Sequence, residues 1–146
     1  GPPRRRADRD GMTRILVIDD EPGVREFLTT ALARAGYEVA AAANGREGIH
    51  LCRCAGVDLV ITDLVMPEKE GLETIVELRR DHPDLAVIAI SGGARGSDRT
   101  YLGAAALCGA DRIFDKPIAP ATLLTAVREI VGPPTDPGAQ ERPGPA

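Results

Sequence analysis

RILVIDDEP, residues 14–22, is the stretch whose reading decides the fold. Ile15 to Ile18 form a short apolar run, mostly β-branched, which breaks into Asp19, Asp20, Glu21 and Pro22. Such a run, with no polar alternation, marks a strand buried on both faces, as in a parallel sheet. The same pattern returns three times. DLVITD ends on Asp63, VIAIS on Ser91, and RIFDKP on Lys116 followed by Pro117. In an open parallel α/β sheet the strand C-termini share one edge, and ligands bind there. Residues distant in sequence therefore converge on one cleft. Three carboxylates, a hydroxyl and an ammonium in that cleft suit a divalent cation and a phosphoryl group.

Outward from these anchors, strand and helix signals alternate five times. Strands are expected near 14–19, 37–42, 57–62, 86–90 and 111–115, with helices near 22–35, 45–55, 71–81, 98–108 and 120–131. Pro22 and Pro120 suit a first helical turn, and Asn44 and Ser97 suit N-caps. Gly36, Gly56, Gly109 and Gly132 fall where a helix ends in a residue of positive φ. Five βα units of this length imply right-handed crossovers and a doubly wound parallel sheet covered on both faces. Val24, Phe27, Leu28, Ala31 and Leu32 recur at helical spacing, as do Leu123, Leu124, Val127, Ile130 and Val131, and both sets read as core stripes.

The chain of 146 residues divides into an arm (1–12), one ordered domain (13–131) and a Pro/Gly-rich tail or linker stub (132–146). The arm and tail lack the apolar periodicity needed to bury a core. The opening Gly-Pro resembles a protease scar, with Met12 a candidate native start. With no apolar leader and no run long enough to span a bilayer, a cytoplasmic location without membrane contact is expected. A net charge of −4 argues against direct nucleic-acid binding, which calls for a basic face. Sixteen arginines against two lysines read as coding bias, and they make Lys116 conspicuous. Cys52, Cys54 and Cys108 form no paired framework and read as small buried or half-buried hydrophobes in a reducing compartment. His50 and His82, on separate predicted helices, receive no chemical role.

Mg²⁺ prefers one or two carboxylates together with waters and phosphate oxygens. Without a cation, Asp19, Asp20 and Asp63 would repel one another. Asp63 is the candidate nucleophile, because carboxylates accept phosphoryl groups as aspartyl phosphates. Transfer of that kind needs positioning and charge neutralisation more than acid–base chemistry. Lys116 offers a point charge for a phosphate oxygen, and Ser91, beside Gly92-Gly93, a hydroxyl donor. A cis bond at Lys116-Pro117 would turn the chain sharply and fix the lysine's aim.

Over roughly Thr13 to Val131 the chain resembles the receiver domain of bacterial two-component response regulators, of the chemotaxis-regulator type. The resemblance rests on ILVIDDEP, DLVITDLVMPEKEGLE, the stretch opening with Ser91-Gly92, and GADRIFDKP. It implies a flavodoxin-like (βα)5 sheet in strand order 2-1-3-4-5 and phosphoryl transfer from a histidine kinase or phosphotransfer protein onto Asp63. It implies Mg²⁺ held by Asp20, Asp63 and the backbone carbonyl of Val65, with Asp19 acting through water. Ser91 and Lys116 would contact phosphoryl oxygens, and the transfer would be self-catalysed rather than enzymatic turnover. An output protein or effector domain and a homodimer are implied partners. The family's usual interface lies on the last two helices, where Arg99, Arg112 and Arg128 are candidates.

Two departures stand out. Ile113 occupies the place where the family often carries Tyr or Phe, whose inward rotation follows the hydroxyl at the Ser91 position. Glu70 stands where the loop usually has Asp. The glycine-rich segment from Ser91, with Gly92, and the helix after it are the expected switch, together with Ile113. Two further classes compete. An aspartate-nucleophile phosphatase of the haloacid dehalogenase type places a DxD pair after its first strand, whereas here the acids adjoin and the nucleophile candidate follows the third. A degenerate receiver would only bind partners, and the complete set of site residues argues against it. Flavin binding is a fold analogy only.

Overall fold

The computed structural model describes residues 12–64, 70–91 and 109–134. Five strands, β1 (Arg14–Ile18), β2 (Glu38–Ala42), β3 (Leu59–Asp63), β4 (Ala86–Ser91) and β5 (Arg112–Asp115), form one sheet. All pairings are parallel, in the order β2-β1-β3-β4-β5, as expected. The described helices are α1 (Pro22–Arg34), α2 (Gly45–Ala55), α3 (Glu70–Asp81) and α4 (Pro120–Val131). The helix expected near 98–108, the Ser97 cap, Cys108 and Arg99 lie outside the described residues.

The apolar strands are buried on both faces because each face meets its own helices. Alternate side chains point to opposite sides, so Leu16, Ile18, Val60, Val87 and Ala89 pack with Cys52 of α2 and with Ile75 and Leu78 of α3. Ile15, Val17, Leu59, Ile61, Ile88 and Ile90 pack with Leu28 and Leu32 of α1 and with Leu123, Ala126 and Val127 of α4. Two cores back to back explain why no strand alternates with polar residues.

Local chemistry sets the helix limits. Pro22 and Pro120 occupy first turns. Asn44 Oδ1 accepts a hydrogen bond from the Glu47 amide at 2.8 Å, capping α2. Gly36, Gly56, Gly109 and Gly132 all take positive φ. The requirement is doubled at Gly109 (φ +103°), where a Cβ would stand 3.0 Å from Arg79 Nε.

Three expectations are corrected. Phe27 is not in the core: it is 48% exposed, because the buried stripe of α1 narrows to Leu28 and Leu32 while Phe27 projects beside it. Cys54 is exposed, unlike buried Cys52, since the two lie two residues apart on a helix and face different ways. Its thiol stands 3.6 Å from His50 Nε2 one turn earlier, a neighbour the sequence reading did not assign. His82 follows α3 rather than lying on it, after the helix closes at Asp81.

Candidate functional site

Register brings the four strand ends close together. Ile18 pairs with Thr62, Asp63 with Ile90 and Ser91 with Asp115, so Asp19 and Asp63 are level, with Ser91 one register step and Lys116 two steps further along the sheet edge. Hydrogen bonds just past the strand ends pin these positions. The Asp19 amide donates to the Ala42 carbonyl at 3.1 Å, the Leu64 amide to Ile90 at 2.8 Å and the Lys116 amide to Ser91 at 2.7 Å. Lys116-Pro117 is a cis peptide.

The side chains meet accordingly. Lys116 Nζ lies 3.1 Å from Asp63 Oδ2 and 3.2 Å from Asp19 Oδ2. One carboxylate oxygen from each of Asp19, Asp20 and Asp63 falls within 4.8 Å of the others. Asp19 and Asp63 are buried and Asp20 is exposed, so the cluster opens to solvent on one side. Burial of Lys116 works against its charge, but the Asp63 carboxylate and then Asp19 outweigh it and hold the ammonium above its ordinary pKa.

Among the described side chains that meet there, three carboxylates stand against one ammonium. Buried carboxylates need paired charge. A hard divalent cation with oxygen ligands matches both the donor set and its negative charge, so the residues fit Mg²⁺.

Asp19, Asp20, Asp63 and Lys116 are thus brought together. Ser91 is fully buried at the end of β4 and supplies the main-chain oxygen that receives the Lys116 amide. Ile113 pairs with Ala89, two residues before Ser91, and packs on the α2–α3 side of the sheet, while Phe114 packs on the other. Val65 and Gly92 lie outside the described residues.

Two contributors escaped the sequence reading. Gly71, in the first turn of α3, sits against the site strand: a Cβ there would stand 2.5 Å from the Asp63 carbonyl oxygen and 2.7 Å from Leu64 Cα. A lone glycine opening a helix is the only mark it leaves in sequence. Arg25 Nη1 donates to the Asp19 carbonyl at 2.7 Å, and nothing in the sequence separates it from a solvated arginine.

A doubly wound sheet in this strand order, with acids and a lysine gathered at its C-terminal edge, defines the receiver class. The profile of the response regulator receiver domain matches residues 15–128, and the chain belongs to that family. Response regulator MprA of Mycolicibacterium vanbaalenii is 37% identical over 118 residues, covering 81% of this chain and 50% of that protein. Sensor kinase CckA of Brucella abortus is 36% identical over 126 residues, 85% of this chain and 13% of that protein. The chain therefore spans half or less of these relatives. Among solved structures, a CheY-like receiver domain protein from Methanospirillum hungatei matches with TM-score 0.75 and 28% identity, covering 81% of this chain and 92% of that one. CheY4 of Vibrio cholerae matches with TM-score 0.74 and 27% identity, covering 82% and 99%.

Proposed function

We propose that this domain is a phosphoacceptor that takes a phosphoryl group from a histidine kinase, or from a phosphotransfer protein, onto Asp63. The observation that carries the reading is the ammonium of Lys116 at 3.1 Å from Asp63 Oδ2, inside a cluster that also gathers Asp19 and Asp20. As the donor's N–P bond breaks, an O–P bond forms to Asp63, and the imidazole leaves with the electron pair and takes a proton from solvent. Water then cleaves the acyl phosphate, returning the carboxylate and inorganic phosphate. Both steps are self-catalysed, and no other substrate is turned over.

Asp20, Asp63 and the Val65 carbonyl would hold Mg²⁺, with Asp19 acting through water. When bound, the ion supplies charge neutralisation that lets an anionic donor approach Asp63. Lys116 stays charged beside Asp63 and is placed to follow a phosphoryl oxygen. Ser91 offers its hydroxyl from the end of β4.

The switch is assigned to the segment from Ser91 through Gly92 and the expected following helix, with Ile113 as the packing partner. Ile113 and Ser91 lie two register steps apart on adjoining strands, on one side of the sheet, which supports that coupling. The receiver unit is taken as 13–131, flanked by the arm 1–12 and the tail 132–146. An output protein, an effector domain or a second copy reads the switch. No helix among the described residues is long and apolar enough to cross a membrane, and a cytoplasmic site of action is proposed.

Intact mass after incubation with Mg²⁺ and acetyl phosphate tests the proposal. A single phosphoryl adduct is expected, absent from Asp63→Asn and absent without Mg²⁺. No adduct under any condition would leave a module that only binds partners.

A further inference from the structure

All three oxygens of Asp19 are engaged. Oδ1 accepts from the Glu21 amide at 2.9 Å, Oδ2 from Lys116 Nζ at 3.2 Å, and the main-chain oxygen from Arg25 Nη1 at 2.7 Å. The first two contacts belong to the turn and to the charge cluster. The third comes from the first turn of α1.

The carbonyl that Arg25 holds belongs to the peptide joining Asp19 to Asp20. That unit is planar, so fixing its oxygen fixes the plane and the direction in which the chain carries Asp20. On the other side, the Asp19 amide is held by Ala42 at 3.1 Å. Asp20 is exposed, so core packing does not aim it, yet its carboxylate meets those of buried Asp19 and Asp63 within 4.8 Å. We infer that Arg25 is a positioning residue of the candidate site, holding the Asp19–Asp20 peptide so that Asp20 reaches the metal-binding cluster. The inference rests on the phosphoacceptor reading with Mg²⁺ as its ion. Arg25 acts through Asp20 and takes no part in phosphoryl transfer itself.

A guanidinium beside acids has a second, opposite effect, because its charge repels a divalent cation. The two roles predict opposite signs. If Arg25 acts by charge alone, removing it tightens Mg²⁺ binding and lysine preserves the wild-type affinity. If it acts by position, methionine and lysine both weaken binding, since a single ammonium on a shorter arm does not reproduce the guanidinium fork.

The experiment titrates the full chain with Mg²⁺ alone and follows the amide resonances of Asp20 and Asp63 in wild type, Arg25→Met and Arg25→Lys. The expected result is binding about ten-fold weaker in both variants, the range typical for losing an outer-shell support. The Asp20 amide should also be displaced before any metal is added. An arginine with a merely structural role would lower the melting temperature and leave the dissociation constant unchanged, which overturns the inference. So does a methionine variant that binds as tightly as wild type or tighter, or a lysine variant at wild-type affinity. Should Arg25→Met not fold, Arg25→Lys alone decides. Wild type showing no Mg²⁺ response at Asp20 and Asp63 would instead overturn the phosphoacceptor reading.

Discussion

Lys116 stands in contact with two buried carboxylates, and this gives it two opposed effects on the site. Its ammonium offsets part of their repulsion and, by the same charge, competes with any cation that enters. Replacing it with methionine should therefore raise Mg²⁺ affinity several-fold, while lowering the phosphoryl adduct formed from acetyl phosphate. Titration calorimetry and intact mass measure the two effects separately. A variant that loses both metal affinity and adduct would show that Lys116 shapes the site rather than its charge.

Cys52 carries the clearest pH consequence at this scale. Burial pushes its thiol up to about 12, so the native state holds that proton more tightly than the unfolded chain does. The sign follows from linkage. The contribution is fully present below the ordinary thiol pKa of about 8.5 and is lost as pH rises through about 12, because the unfolded chain ionises first. Urea unfolding across that alkaline range should show falling stability, with a shallower fall in Cys52→Ala. At pH 8, iodoacetamide should label exposed Cys54 well before buried Cys52, read by peptide mass mapping.

At the scale of elements, the contact that matters most for the site is between the start of α3 and the end of β3. An alanine in a helix is ordinarily better than a glycine by about 1 kcal/mol. At Gly71 the order should reverse, because the added Cβ would meet the Asp63 oxygen at 2.5 Å and Leu64 Cα at 2.7 Å, both main-chain atoms. Gly71→Ala is expected to cost about 1–3 kcal/mol in urea unfolding, the usual penalty for overpacking. It should also weaken Mg²⁺ binding, because relief requires moving the backbone that carries Asp63. Glycine in the first turn of α3 is thus a requirement of the site strand and not of the helix.

Across the whole molecule, Arg79 ties the far end of the sheet together. Its guanidinium donates to the carbonyls of Pro83 at 3.0 Å and Gly109 at 2.6 Å, and also to Leu85. Asp111, 3.3 Å from Arg79 Nη2, in turn accepts from the Val87 amide at 2.8 Å. One side chain therefore joins α3, the entry to β4 and the entry to β5. Arg79→Met should cost about 2–3 kcal/mol in chemical denaturation, since the partly buried carbonyls of Leu85 and Gly109 lose a charged donor. Arg80→Met, next door and 69% exposed in surface ion pairs, should change stability by no more than about 0.5 kcal/mol.

What the sequence determined by itself was the alternation, and with it the sheet. Ile15 to Ile18, Leu59 to Ile61 and Val87 to Ile90 are apolar without a break because both sides of each strand meet helices, and that demand is written locally. The strand-end positions of Asp19, Asp63, Ser91 and Lys116 follow, since parallel strands end together. Strand limits moved by a residue or two: β3 runs through Asp63 and β4 through Ser91, because ladder bonds continue past the apolar run. Only the tertiary structure decided which surface residues serve the site. Phe27 fits the helical stripe yet faces solvent, and Arg25 resembles any solvated arginine yet holds the Asp19 carbonyl. Periodicity records which side of an element is buried, but a hydrogen bond between a helix and a turn depends on where packing places the two. No spacing in one dimension carries that information.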